Sequence, residues 1–99
     1  MRLKCIIDGK KIKNKGDLHS LLKEKLKFSD YYGNNLDALW DEISSSIHSR
    51  EIVLINEKDL LEVLGDYGKK FIKVLYDLEK EFSNFKFIIE KGSRGNGTY

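Results

Sequence analysis

The chain has no proline, and among its 99 residues there is a single cysteine. One thiol, Cys5, cannot close an intrachain disulfide, and the count excludes a CxxC pair, a cysteine-rich zinc cluster and a disulfide scaffold. Set in a predicted strand, Cys5 reads as core, and this cysteine usage fits a reducing cytosol, so a cytoplasmic protein is expected. No apolar run approaches the length of a membrane span. The opening Met1-Arg2-Leu3-Lys4-Cys5 lacks the apolar stretch and cleavage site of a secretory signal. Gly65, Gly68 and the glycines near the C-terminus fit no phosphate-binding spacing. The most telling absence is local. Residues 28–49 contain no Lys or Arg, although the chain has 18 of them.

What remains is 40% hydrophobic and 34% charged, with five Phe, five Tyr and one Trp, which is enough to fill one modest core. The length predicts a single domain over residues 1–90. The glycine-rich, polar residues 91–99 are expected to be a flexible tail. The net charge of +2 hides a strong segregation. Residues 1–27 hold nine basic and three acidic side chains, residues 28–49 hold four acids (Asp30, Asp37, Asp41 and Glu42), and residues 50–99 hold nine of each sign.

Apolar spacing predicts the elements. Leu3 to Ile7 reads as a strand ended by a turn at Asp8-Gly9. Asn14, with Asp17 three residues on, starts a helix whose stripe is Leu18, Leu21, Leu22 and Leu26. A loop follows, in which Gly33 is expected to adopt a backbone angle that other residues resist and Asn34 or Asn35 to cap the next helix. That second helix carries Leu36, Leu39, Trp40, Ile43 and Ile47 on one face. The run 52–55 is expected to be a strand buried on both faces. A short helix ends at Gly65, a longer one carries Tyr67, Phe71, Val74, Leu75, Leu78 and Phe82, and residues 85–89 form a last strand. The order β-α-α-β-α-α-β implies an α/β fold: three parallel strands joined by right-handed crossovers, with four helices mainly on one face of the sheet.

Signs of catalysis are thin. His19 and His48 read as solvated surface histidines, with no Ser or Cys placed to make a nucleophile pair. Asp37 and Asp41 could suggest a metal or a carboxylate pair, but their surroundings offer too few further ligands. No metal, cofactor or enzymatic activity is expected. The N-terminal lysines (Lys10, Lys11, Lys13, Lys15, Lys23, Lys25, Lys27) leave open a nucleic-acid-binding surface, although no aromatics interleave with them and a solvated helix face explains them as well.

The acidic segment is harder to explain by stability. Asp37 lies in the first turn of its helix, where the dipole favours an acid. Asp41 lies one turn further on, beside a like charge, an arrangement that costs on the order of a few tenths of a kcal/mol in an isolated helix. Both fall on the flank of the apolar stripe that Trp40 borders, and the preceding loop brings Tyr31 and Tyr32 near. Aromatic edges mixed with unpaired charge suit a surface for a basic partner.

The run Tyr31-Tyr32-Gly33-Asn34-Asn35-Leu36-Asp37-Ala38-Leu39-Trp40-Asp41 resembles the signature of the barstar family, intracellular inhibitors of secreted microbial ribonucleases. Asp8-Gly9, Asp17-Leu18-His19 and the last strand extend the resemblance over about residues 3–90. The resemblance implies the fold read above. It also implies a one-to-one complex with a secreted basic ribonuclease, made by a protein that is monomeric when free and binds neither nucleic acid nor membrane directly. Carried over by position, Asp41 would occupy the pocket for RNA phosphate, Asp37 the basic rim, and Tyr31 the catalytic-histidine side of the cleft. Gly33 and Asn35 would offer backbone and amide contacts, Trp40 its edge, and Asp77 a peripheral acid. The sequence departs from the family pattern in three places: its net charge is positive, Ser46 replaces an aromatic, and Asp77 replaces a longer acid. These departures leave room for a different basic toxin as the target.

Overall fold

A computed structural model describes residues 2–90, and the tail expected over 91–99 lies outside them. The elements are β1 (Arg2–Asp8), one 3-10 turn (Gly9–Lys11), α1 (Lys15–Leu26), α2 (Leu36–Ser44), β2 (Ser49–Ile55), α3 (Glu57–Leu64), α4 (Asp66–Glu81) and β3 (Phe85–Glu90). The fold is α/β, with three parallel strands in the order β1-β2-β3 and four helices, as the apolar periodicity predicts. None of the helices of the described residues is long and apolar enough to cross a membrane.

The register explains the layering. Cys5 pairs with Ile52 and Ile52 with Phe87, and these side chains join the core with Ile7, Leu54 and Phe85. The alternate row, Ile6–Val53–Ile88, stays outside that core, with Ile6 53% and Ile88 41% exposed. Successive strand residues point to opposite faces, so the helices cover one face. Within β2, Ile52, Val53 and Leu54 are buried as expected, whereas Ile55 is only half-buried. Burial pushes the Cys5 thiol up to about 12, against the partial counteraction of Lys25, which makes it an inert packing group.

Helix ends follow local chemistry. Asn14 accepts from the Asp17 N–H at 2.8 Å, and the Asp17 carboxylate reaches back to the Lys13 N–H at 3.0 Å. α1 closes with Lys27 in the left-handed region (φ 56°), both Lys27 and Phe28 donating to the Lys23 carbonyl. Gly65, at φ +59°, stops α3 where the sequence places the stop.

Two expectations about the helices fail. α2 ends at Ser44, and Ile47 does not extend its apolar face but stands 91% exposed in the following loop. The Ser44 and Ser45 hydroxyls both donate to the Asp41 carbonyl, at 3.4 and 2.6 Å, competing with the helical ladder. Asn84 then holds the carbonyls of Ser46 and His48, at 3.0 and 3.1 Å, which fixes the loop with Ile47 outward. His19 is not a solvated histidine either. It is fully buried, because 19, 22 and 26 share one side of α1 with Leu22 and Leu26. His48 is exposed as expected.

Candidate functional site

α2 is anchored by its inner face and free on its outer one. Leu39 and Ile43 are buried, Leu36 and Trp40 half-buried, and Asp37 and Asp41 exposed. The Trp40 ring meets Phe82 at the end of α4 edge-on, with centroids 5.9 Å apart. Neither Asp37 nor Asp41 has an ion pair or a side-chain hydrogen bond among the described residues. No three His, Cys, Asp or Glu side chains gather there or elsewhere among the described residues in a way that could hold a metal ion.

The loop ahead of α2 divides its two tyrosines. Tyr31 is 95% exposed, whereas Tyr32 is buried, so only one of the pair is available to a partner. Tyr32 packs on Phe28 (centroids 4.8 Å apart) and its hydroxyl lies 2.6 Å from His19 Nδ1. His19 Nε2 lies 2.6 Å from the Tyr67 hydroxyl. A neutral imidazole satisfies both contacts by donating to one hydroxyl and accepting from the other. Burial lowers the His19 pKa, with Lys15 adding in the same direction, and raises that of Tyr32 well above its ordinary value.

The strained backbone angle in this loop belongs to Asn34 (φ 57°), not to Gly33 as expected. What Gly33 supplies is room, since a Cβ there would stand 3.3 Å from Asn35 Nδ2 and 3.5 Å from the Ala38 Cβ. Asn35 is the cap. Its Oδ1 accepts from the Ala38 N–H at 2.7 Å and its Nδ2 donates to the Gly33 carbonyl at 3.3 Å. Two of the four hydrogen bonds its side chain can make are therefore used in holding the loop to the helix.

Two residues that the sequence did not single out tie this region together. Glu42 accepts from the Ser29 N–H (3.3 Å) and hydroxyl (2.5 Å). Arg50, 5% exposed, donates from Nε to the Leu26 carbonyl at 3.1 Å and from Nη1 to the Glu42 carbonyl at 2.9 Å, with its guanidinium 5.0 Å from the Phe28 ring centroid. Burial lowers the Arg50 pKa, and the Glu42 charge works the other way. These contacts bridge residues far apart in sequence, and periodicity gives no sign of them. The buried His19 did leave a trace in its spacing to Leu22 and Leu26. Asp77 is on α4, where it pairs with Lys73 at 3.3 Å.

The sequence model of the family described as Barstar (barnase inhibitor) matches residues 3–91. A protein of Bacillus subtilis (strain 168) named "Putative ribonuclease inhibitor YrdF" is 42% identical over 89 residues, covering 88% of this chain and 98% of that one.

Proposed function

Because this chain belongs to the barstar family, we propose that it is a protein inhibitor of a basic secreted ribonuclease, acting without catalysis of its own. α2 and the loop before it cover the active site of the enzyme in a one-to-one complex formed by a cytoplasmic, otherwise monomeric inhibitor. The observation that carries this reading is the pair Asp37 and Asp41, exposed and unpaired on one flank of α2, beside Tyr31 and the half-buried Trp40. A ribonuclease is positively charged where it holds the RNA backbone. A carboxylate already fixed on a helix stands in for phosphate while losing little conformational entropy on binding. Desolvating that charge is costly, and bidentate arginine contacts from the enzyme offset the cost.

Within this reading Asp41 enters the phosphate pocket and Asp37 meets the basic rim. Tyr31 lies against the catalytic-histidine side, Trp40 adds its edge, and Gly33 admits close backbone approach. Asn35 serves the surface by capping α2, with its remaining amide capacity at the contact, and Asp77 acts from the periphery. A nucleic-acid-binding surface made by the N-terminal lysines is less well supported. Lys11 and Lys13 share their hollow with Asp8, Asp17 and Glu24, and Lys10 and Lys13 share another with Asp59 and Glu62, so a phosphate chain would meet both signs.

The test is titration of this protein into barnase and other basic microbial ribonucleases during RNA cleavage. Stoichiometric loss of cleavage that Asp41→Ala abolishes supports the proposal. Undiminished cleavage with every enzyme, or equal inhibition by Asp41→Ala, overturns it.

A further inference from the structure

We infer that Arg50 is the positioning residue of the inhibitory surface: its buried guanidinium caps the C-terminal ends of α1 and α2 together and so sets where the carboxylates of α2 stand. This rests on the inhibitor reading. The two acceptors are what make the arrangement specific. At the end of α1, Lys27 and Phe28 both turn back to the Lys23 carbonyl, which leaves the Leu26 carbonyl to Arg50. At the end of α2, Ser45 donates to Asp41 and Ser46 to Ile43, which leaves the Glu42 carbonyl to Arg50. Orphan carbonyls at helix C-termini carry partial negative charge, so a cation shared between two such ends is favourable where an unpaired buried cation would not be.

The same side chain controls the loop that joins the two helices. Phe28 lies against the guanidinium and packs on Tyr32, while Glu42, whose carbonyl Arg50 holds, grips Ser29 with its carboxylate. Arg50 is itself fixed in the sheet, since it stands between Leu3 and Phe85 in register and its N–H donates to the Asn84 carbonyl at 3.0 Å. A path of direct contacts therefore runs from the sheet to both ends of the recognition segment. A lysine keeps the charge but not the planar fork that spans two carbonyls.

The experiment compares wild type, Arg50→Lys and Arg50→Met, each with and without Asp41→Ala, by binding to barnase and the other basic ribonucleases of the titration above. Hydrogen exchange of the free proteins is measured in parallel. Positioning predicts about tenfold weaker binding for Arg50→Met, partial recovery in Arg50→Lys, and an Asp41→Ala effect about fivefold smaller in Arg50→Met than in wild type and reduced to a lesser degree in Arg50→Lys. It also predicts faster exchange in residues 28–44 with unchanged exchange in β2. Additive effects of the two substitutions, or exchange rising equally throughout, reduce Arg50 to a stability residue and overturn the inference while the inhibitor reading stands. If Arg50→Met does not fold, the Arg50→Lys cycle decides in the same terms. A wild type that inhibits none of the enzymes overturns both.

Discussion

Asp41 and Glu42 are adjacent acids in one helix, and they lead opposite lives. Glu42, half-buried, is tied to the loop: its carboxylate holds Ser29 and its carbonyl is held by Arg50. Asp41 turns outward, and its carboxylate has no partner among the described residues. The contrast extends to the whole segment. Beneath it, Tyr32, His19, Tyr67 and Arg50 are all hydrogen-bonded; above it, Tyr31, Asp37 and Asp41 are exposed. Groups satisfied within the fold have little left to give a partner. Groups held in place but unsatisfied keep their electrostatic free energy for one. In the proposed complex, the hydrogen-bonded groups below would hold the unmet charge above ready for the enzyme.

The sharpest way to break this contrast is to remove its outer half. Asp41→Ala is expected to weaken binding to a ribonuclease at least about thirtyfold, on the scale of charged interface hot spots for which the barnase–barstar pair is the reference case. The denaturant midpoint of the free protein should stay the same or rise slightly, because a like-charge neighbour of Asp37 is lost. Binding and equilibrium unfolding of the same preparation check both halves, and a large fall in stability would show that Asp41 is structural after all.

The inner half is tested through His19. Its folded pKa lies below the unfolded value, so the unfolded chain takes up the proton first as pH falls. The stabilisation is complete above the unfolded value, near 6.5, is lost as pH falls from there, and levels off below the folded pKa. His19→Gln should cost about 1–3 kcal/mol at pH 8, through lost hydrogen bonds to the two tyrosines, and should flatten the dependence between pH 8 and 5. Denaturant midpoints across that range measure it, and an unchanged slope in the variant would assign the titration to another group.

How much of this could be read beforehand follows from the range of each interaction. Leu18, Leu22, Leu39, Ile52, Phe71 and Leu75 repeat at helical or strand spacing, so elements and topology are visible in a single sequence. The outer surface was visible too, because unpaired acids in a base-free segment are a local anomaly. Periodicity misplaces the end of α2, because the apolar period continues to Ile47 while serine hydroxyls and Asn84 end the helix earlier. Arg50 was invisible because its partners, Leu26 and Glu42, are 24 and 8 residues away. The split between Tyr31 and Tyr32 depended on His19 and Phe28, which lie beneath the loop.

A cap joins the two halves, and its removal should have an intermediate effect. Asn35→Ala deprives the Ala38 N–H of its acceptor and frees the Gly33 carbonyl. The expected loss is about 1 kcal/mol of stability. Asn35→Asp, which keeps the accepting oxygen, should restore most of that stability. Thermal unfolding together with ribonuclease binding of the two variants separates the capping role from any direct contact, since a contact made by the amide nitrogen would weaken binding in both.

Asp77 offers the smallest effect and a control for the argument. Asp77 is half-buried where Asp37 and Asp41 are exposed, and Lys73 lies 3.3 Å from its carboxylate on the preceding turn of α4. An exposed i,i+4 pair of this kind contributes about 0.3–0.5 kcal/mol. Asp77→Ala should therefore leave stability nearly unchanged and weaken binding by no more than about threefold, because the ammonium already neutralises much of its field. Lys73→Ala uncovers the acid without moving it, and should tighten binding to a basic enzyme at low salt and lose that gain as salt screens the charge. Association rates of both variants measured against ionic strength decide the matter. If Asp77→Ala matched the loss seen for Asp41→Ala, the absence of an ion-pair partner would not be what selects an acid for recognition.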